Sequence, residues 1–147
     1  MRVVVVSEDA AERRRATSAL ALLPDTEVVE VASGEDARRR YLDGELLADV
    51  LVVDNDLWPR GGFALLYDLH EQADQHGTDL APSVVLTSRE PDRFLVDWSQ
   101  ASRSVAKPID SFDLARVVGE LGGVGPPQVA TSADAAGRDA AADGAGA

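Results

Sequence analysis

The chain has 147 residues, no cysteine and a formal net charge of −12, from 14 basic against 26 acidic side chains. That length fits one domain with little left over. Without thiols there is no disulfide framework or thiolate metal site, and the acidic excess repels phosphate backbones, so nucleic acid is not an expected partner. Hydrophobic residues make up 45%, enough for a core. No apolar run approaches a signal-peptide core or a membrane span, so a cytoplasmic protein without membrane contact is expected.

The first strand is expected at VVVV (3–6), followed by a helix over AAERRRATSALALL (10–23) with Ser7, Glu8 or Asp9 as its cap. EVVEV (27–31) reads as a second strand, and GEDARRRYLDG (34–44), bracketed by glycines, as a second helix. The runs Arg13–Arg15 and Arg38–Arg40 lie within these helices and, with acids around them, read as solvated faces.

VLVV (50–53) is a third strand, and the helix FALLYDLHEQADQ (63–75) places Phe63, Leu66, Tyr67 and Leu69 at helical spacing. His70 and His76, near its end, fall on different faces and are given a surface role. SVVL (83–86) and SVA (104–106) are the remaining strands. Between them PDRFLVDWSQA (91–101) opens with a proline suited to a first helical turn, and its Trp98 is expected half-buried. DSFDLARVVGEL (110–121) has Asp110 as its cap and Phe112, Ala115, Val118 and Leu121 on one face. Residues 122–147, built of Gly, Ala, Pro and Asp, are too poor in apolar side chains to offset chain entropy and read as a disordered tail after a domain at 1–121.

Short Val-rich strands alternating with helices predict an open parallel sheet covered on both faces, with right-handed crossovers. Ligands of such sheets bind beyond the carboxyl ends of the strands. Those ends carry Ser7, Glu8 and Asp9; then Asp54, Asn55 and Asp56; then Thr87; then Lys107 and Pro108. If the first and third strands are neighbours, two acidic clusters face each other with a hydroxyl and a lysine beside them. Crowded carboxylates repel, and a hard divalent cation such as Mg²⁺ relieves them. The lysine and hydroxyl suit an incoming phosphoryl group. Each residue alone also fits a helix cap or an ordinary loop start; it is their joint placement that points to chemistry.

With VVVVSED, LVVDNDL followed by Gly62-Phe63, VVLTS and VAKPI, the chain resembles the receiver domain of two-component response regulators over residues 1–121. The resemblance implies a flavodoxin-like (βα)5 fold with strand order 2-1-3-4-5. It implies Asp54 as the acceptor of a phosphoryl group from a sensor histidine kinase or phosphotransfer protein. Mg²⁺ would be held by Glu8, Asp9, Asp54 and the backbone carbonyl of Asp56, with Thr87 and Lys107 meeting the phosphoryl oxygens. It further implies a cis bond before Pro108, a structural Gly62, and no enzyme activity beyond self-phosphorylation and autodephosphorylation.

Three positions depart from the family pattern. Ser7 stands where the family places the first of two acids, so either Glu8 alone holds the metal or Glu8 and Asp9 form the pair one residue later. Ser104 stands where an aromatic usually reorients with the threonine, and Trp58 where a proline follows the leucine. A stand-alone phosphorylatable receiver, able to pair with a second copy and acting on a downstream protein, is the first expectation. A phosphorylation-independent binding module of the same fold is the alternative. A flavodoxin-like cofactor binder is disfavoured, because SEDAAERRR has no glycine and three acids where a phosphate cradle would be needed.

Overall fold

The structure, a computed structural model, describes residues 1–125. Five strands alternate with five helices: β1 (Arg2–Val6), α1 (Ala10–Leu20), β2 (Glu27–Val31), α2 (Gly34–Leu42), β3 (Val50–Asp54), α3 (Gly62–Gln75), β4 (Ser83–Thr87), α4 (Arg93–Ser99), β5 (Arg103–Ala106) and α5 (Ser111–Gly122). All strand pairs are parallel, in the order β2-β1-β3-β4-β5. This is the flavodoxin-like arrangement expected from the alternating pattern.

The sheet explains its own composition. β3 and β4 are buried at every residue, as continuous apolar runs in a doubly covered sheet should be. The edge strands β2 and β5 carry the exposed Glu27, Glu30, Arg103 and Ser104. Alternation along β3 divides the core. Val50 and Val52 join Leu20, Leu114 and Val118 on the α1–α5 side, whereas Leu51 and Val53 join Phe63, Leu66 and Leu69 on the α2–α3 side.

Helix boundaries moved where local chemistry outweighed periodicity. α1 stops at Leu20 rather than residue 23, because Leu23 precedes Pro24, a position that disfavours helical backbone; Leu23 still stays buried. α4 starts at Arg93, after an Asp92 cap that accepts from the Phe94 N–H, so Pro91 lies outside it. On α5 the buried stripe is Leu114, Ala115, Val117 and Val118, and Phe112, which spacing puts on one face with Ala115 and Val118, is 47% exposed. His76 is exposed, but His70 is half-buried with Nε2 inside, and burial holds its imidazole below the usual histidine range. Gly122 closes α5 and Val124 packs on the core, and residues 126–147 of the expected tail lie outside the described residues.

Gly62 marks the tightest junction. A Cβ there would stand 2.7 Å from the carbonyl oxygen of Asp54 and 2.9 Å from the Val53 side chain. Only a bare Cα lets α3 begin this close to the end of β3. Gly62→Ala is expected to cost about 1–3 kcal/mol, as overpacking does, and to displace Asp54. A urea midpoint equal to the wild type's would refute that.

Candidate functional site

Sheet register brings the site together. Val6 pairs with Val53, so Ser7 and Asp54, one step further along, are neighbours. Asp54 pairs with Leu86 and Thr87 with Ala106, which places Lys107 one step beyond. The side chains close the gap. Ser7 Oγ donates to Asp54 Oδ2 at 2.8 Å, and Lys107 Nζ donates to Asp54 Oδ1 at 2.7 Å. The backbone N–H of Asp56 donates to the same Oδ1 at 3.0 Å. Lys107 also reaches Asp56 Oδ2 at 2.7 Å, so a single ammonium is shared between two carboxylates.

The Asp54 side chain is 3% exposed and that of Lys107 12%. Burial pushes the Asp54 carboxyl up, but hydrogen bonds from Lys107, the Asp56 N–H and Ser7, together with the lysine's charge, outweigh it and hold the group below the usual aspartate range. Burial likewise lowers Lys107, and its bonds and charge interactions with Asp54 and Asp56 more than reverse this, raising it.

A depressed carboxyl adds stability above its unfolded pKa, about 3.9, which is lost as pH falls through the lower folded value. A raised ammonium adds stability below its unfolded pKa, about 10.4, which is lost as pH rises through the higher folded value. The pair is therefore expected to stabilise the fold across the whole range between. Denaturation of wild type and Asp54→Asn at a series of pH values checks this. The variant should lose the acid-side dependence, and identical profiles would show that the pair contributes nothing.

The carboxylate opens on a cleft of about 700 Å³ lined by Glu8, Asp9, Glu12, Arg15, Asp54, Asp56, Lys107 and Pro108. The Lys107–Pro108 bond is cis, as the resemblance implied, and so is Trp58–Pro59, which nothing in the sequence announced. The two acids after β1 have separate tasks. Asp9 Oδ1 caps α1 by accepting from the N–H groups of Ala11 and Glu12, and Glu8 Oε1 accepts the Trp58 N–H at 3.2 Å. Glu8, Asp9, Asp54 and Asp56, the expected metal set, all line this cleft, and among the described residues no three His, Cys, Asp or Glu form a group that could hold a metal ion by themselves. Thr87 lies at the end of β4 with its side chain buried, not lining the cleft, and its carbonyl accepts the Lys107 N–H at 2.7 Å. Ser104 is exposed on the edge strand opposite Val85, and Trp58 is 71% exposed.

The sequence reading passed over three contributions. The Ser7 hydroxyl holds Asp54, the Asp56 side chain shares Lys107, and the buried Glu12 pairs with Arg15 at 2.6 Å on the cleft wall. The available signal for the last was Glu12 and Arg15 at i, i+3 in the opening turns of α1, the end of the helix that faces the strand termini.

No family model matches the chain. Two uncharacterized response regulatory proteins of Mycobacterium tuberculosis, one from each of two strains, are 32% identical to it over 123 residues, which is 80% of this chain and 88% of theirs. Among solved structures, a putative response regulator from Chloroflexus aurantiacus superposes with a TM-score of 0.70 at 21% identity, over 83% of this chain and 97% of its own. The chemotaxis protein CheY4 of Vibrio cholerae gives 0.69 at 18% identity, over 82% and 97%. The receiver domain of the histidine kinase CKI1 from Arabidopsis thaliana, complexed with Mg²⁺, gives 0.67 at 21% identity, over 82% and 90%. The structural likenesses carry the fold, the mycobacterial relatives carry the family, and on that footing the chain belongs to the response regulator receiver family of two-component systems.

Proposed function

We propose that Asp54 accepts a phosphoryl group from a histidine of a sensor kinase or phosphotransfer protein, and that the modified domain changes its binding to another protein. The observation carrying this reading is the Lys107 ammonium at 2.7 Å from a nearly buried aspartate that opens on a cleft. In the transfer an Asp54 oxygen bonds to phosphorus as the phosphorus–nitrogen bond to the donor histidine breaks, and the imidazole leaves with the electron pair. Little covalent help is needed; positioning and charge neutralisation dominate. Ser7 and the Asp56 N–H orient the carboxylate, and Lys107 answers the charge on the phosphoryl oxygens.

The lining suits a hard cation by its donors, with the carboxylates of Glu8, Asp9, Glu12, Asp54 and Asp56 set against only Arg15 and Lys107. Glu8, Asp54 and the Asp56 carbonyl would hold Mg²⁺, which when bound supplies further positive charge beside the phosphoryl group. A second reading, a binding module that works without phosphorylation, is favoured by one observation: both Asp54 oxygens already have donors.

The deciding experiment is intact mass after incubation with acetyl phosphate, with and without Mg²⁺, beside Asp54→Asn. The expected result is a gain of one phosphoryl group in the wild type and none in the variant. No gain here, joined by no response to beryllofluoride, would leave the second reading.

A further inference from the structure

Beside the cleft lies a groove of about 570 Å³ between the β3–α3 loop and α4, where Asp56, Leu57, Phe63, Ala64, Leu95 and Trp98 form its wall. Its floor is fixed, because the Trp98 ring stacks on Tyr67 with centroids 4.4 Å apart and planes at 8°. Leu95, on the wall, is 37% exposed, and outside the lining the same two elements hold Trp58 at 71% and Phe94 at 70%, the most exposed large apolar side chains among the described residues. Apolar surface concentrated this way marks a place where something docks.

We propose that this groove binds a basic amphipathic helix from another protein, with Asp56 as the charged end of the site. The apolar wall receives the helix's anchors, in the helix-in-groove mode. Charge selects the occupant. Arg60, also at the groove, is committed to Asp68 at 2.7 Å, whereas Asp56 has a side chain 68% exposed and only a share of one lysine. A second copy would bring its own −12 against the first, and a cationic helix brings the opposite sign.

Asp56 lines both the cleft and the groove, which couples them. This step rests on the phosphorylation reading. A phosphoryl group on Asp54 adds negative charge beside Lys107, draws the ammonium toward it and leaves Asp56 free for a cation of the partner. Docking tightens on phosphorylation, by a route that needs no aromatic at Ser104.

The test is a titration of the full chain, followed by the fluorescence of its two tryptophans, with synthetic amphipathic helices whose polar face is all lysine or all glutamate. The lysine helix is expected to bind saturably and the glutamate helix not at all. Leu95→Asp should weaken binding about tenfold or more, while Leu47→Asp, an exposed leucine at 65% outside the groove, should not. Circular dichroism of both variants guards against misfolding. Equal weakening by the two variants would overturn the groove, leaving diffuse attraction between charges. Self-association in sedimentation that Leu95→Asp abolishes would overturn it too, by giving the groove to a second copy. Beryllofluoride with Mg²⁺ should tighten lysine-helix binding in the wild type and not in Asp56→Asn. If Asp54 gains a phosphoryl group by mass and binding does not tighten, the coupling is wrong; if it gains none, only the phosphorylation reading falls.

Discussion

Lys107→Met is expected to slow phosphoryl gain at Asp54 by about a hundredfold or more, the usual penalty for removing one preorganised donor to a developing charge. It should also destabilise the fold at neutral pH by about 3 kcal/mol, because it leaves a buried carboxylate without its cation. That figure sits at the low end for a broken buried pair, since Ser7 and the Asp56 N–H still hold both oxygens. The signature separating this from simple loss of packing is its pH dependence. Without Lys107, burial is opposed only by the Asp56 N–H and Ser7, so the Asp54 carboxyl moves upward from its wild-type position, and acidification should return part of the lost stability. Wild type shows no such recovery, because its carboxyl is already held low. Urea denaturation at two pH values reads this directly. A variant equally destabilised at both would mean that the lysine's aliphatic stem, not its charge, matters.

The fold was legible because the three central strands, VVVV, VLVV and SVVL, are short apolar runs each followed by a polar residue and alternating with stretches of helical spacing. That Asp54 and Lys107 meet was legible for the same reason, since strand ends in this topology converge. What remained hidden was decided by sheet register and by single-residue shifts. Glu8 and Asp9 both line the cleft, and what separates them is where α1 begins: Asp9 caps the helix and Glu8 accepts the Trp58 N–H. Ser7 looked like a missing acid; only the pairing of Val6 with Val53 shows that its hydroxyl meets Asp54. Phe112 followed helical spacing and still faces solvent, because the α5 stripe is set by the contact with α1 and the sheet, not by the largest apolar residue. The groove beside α4 had no sequence signal beyond Trp58 and Trp98, which lie on different elements.

Ser7→Asp should convert the site from one satisfied without a cation into one that requires it. Residue 7 is fully buried, and its hydroxyl donates to Asp54 Oδ2 at 2.8 Å. An acid there removes that donor and sets two carboxylates side by side with one shared lysine. Losing a hydrogen bond to a charged group costs about 1.5–3 kcal/mol, and repulsion drives one carboxyl's pKa up, so the metal-free variant should unfold well below the wild type. Mg²⁺ removes the repulsion. At a hundredfold excess over Kd, binding restores about 2.7 kcal/mol, whereas the wild type, with one fewer acid, should gain less at the same concentration. Ser7→Ala separates the two effects, since it loses the hydroxyl without adding charge and should respond to Mg²⁺ no more than the wild type does. Thermal denaturation of the three proteins over a Mg²⁺ series decides the matter. A Ser7→Asp protein with no larger response to Mg²⁺ than Ser7→Ala would mean that the end of β1 does not face a cation at all. Glu8 and Asp9 would then keep only the loop and helix contacts they make here, and Lys107 and Arg15 would be the counter-charges on the cleft for a phosphoryl group on Asp54.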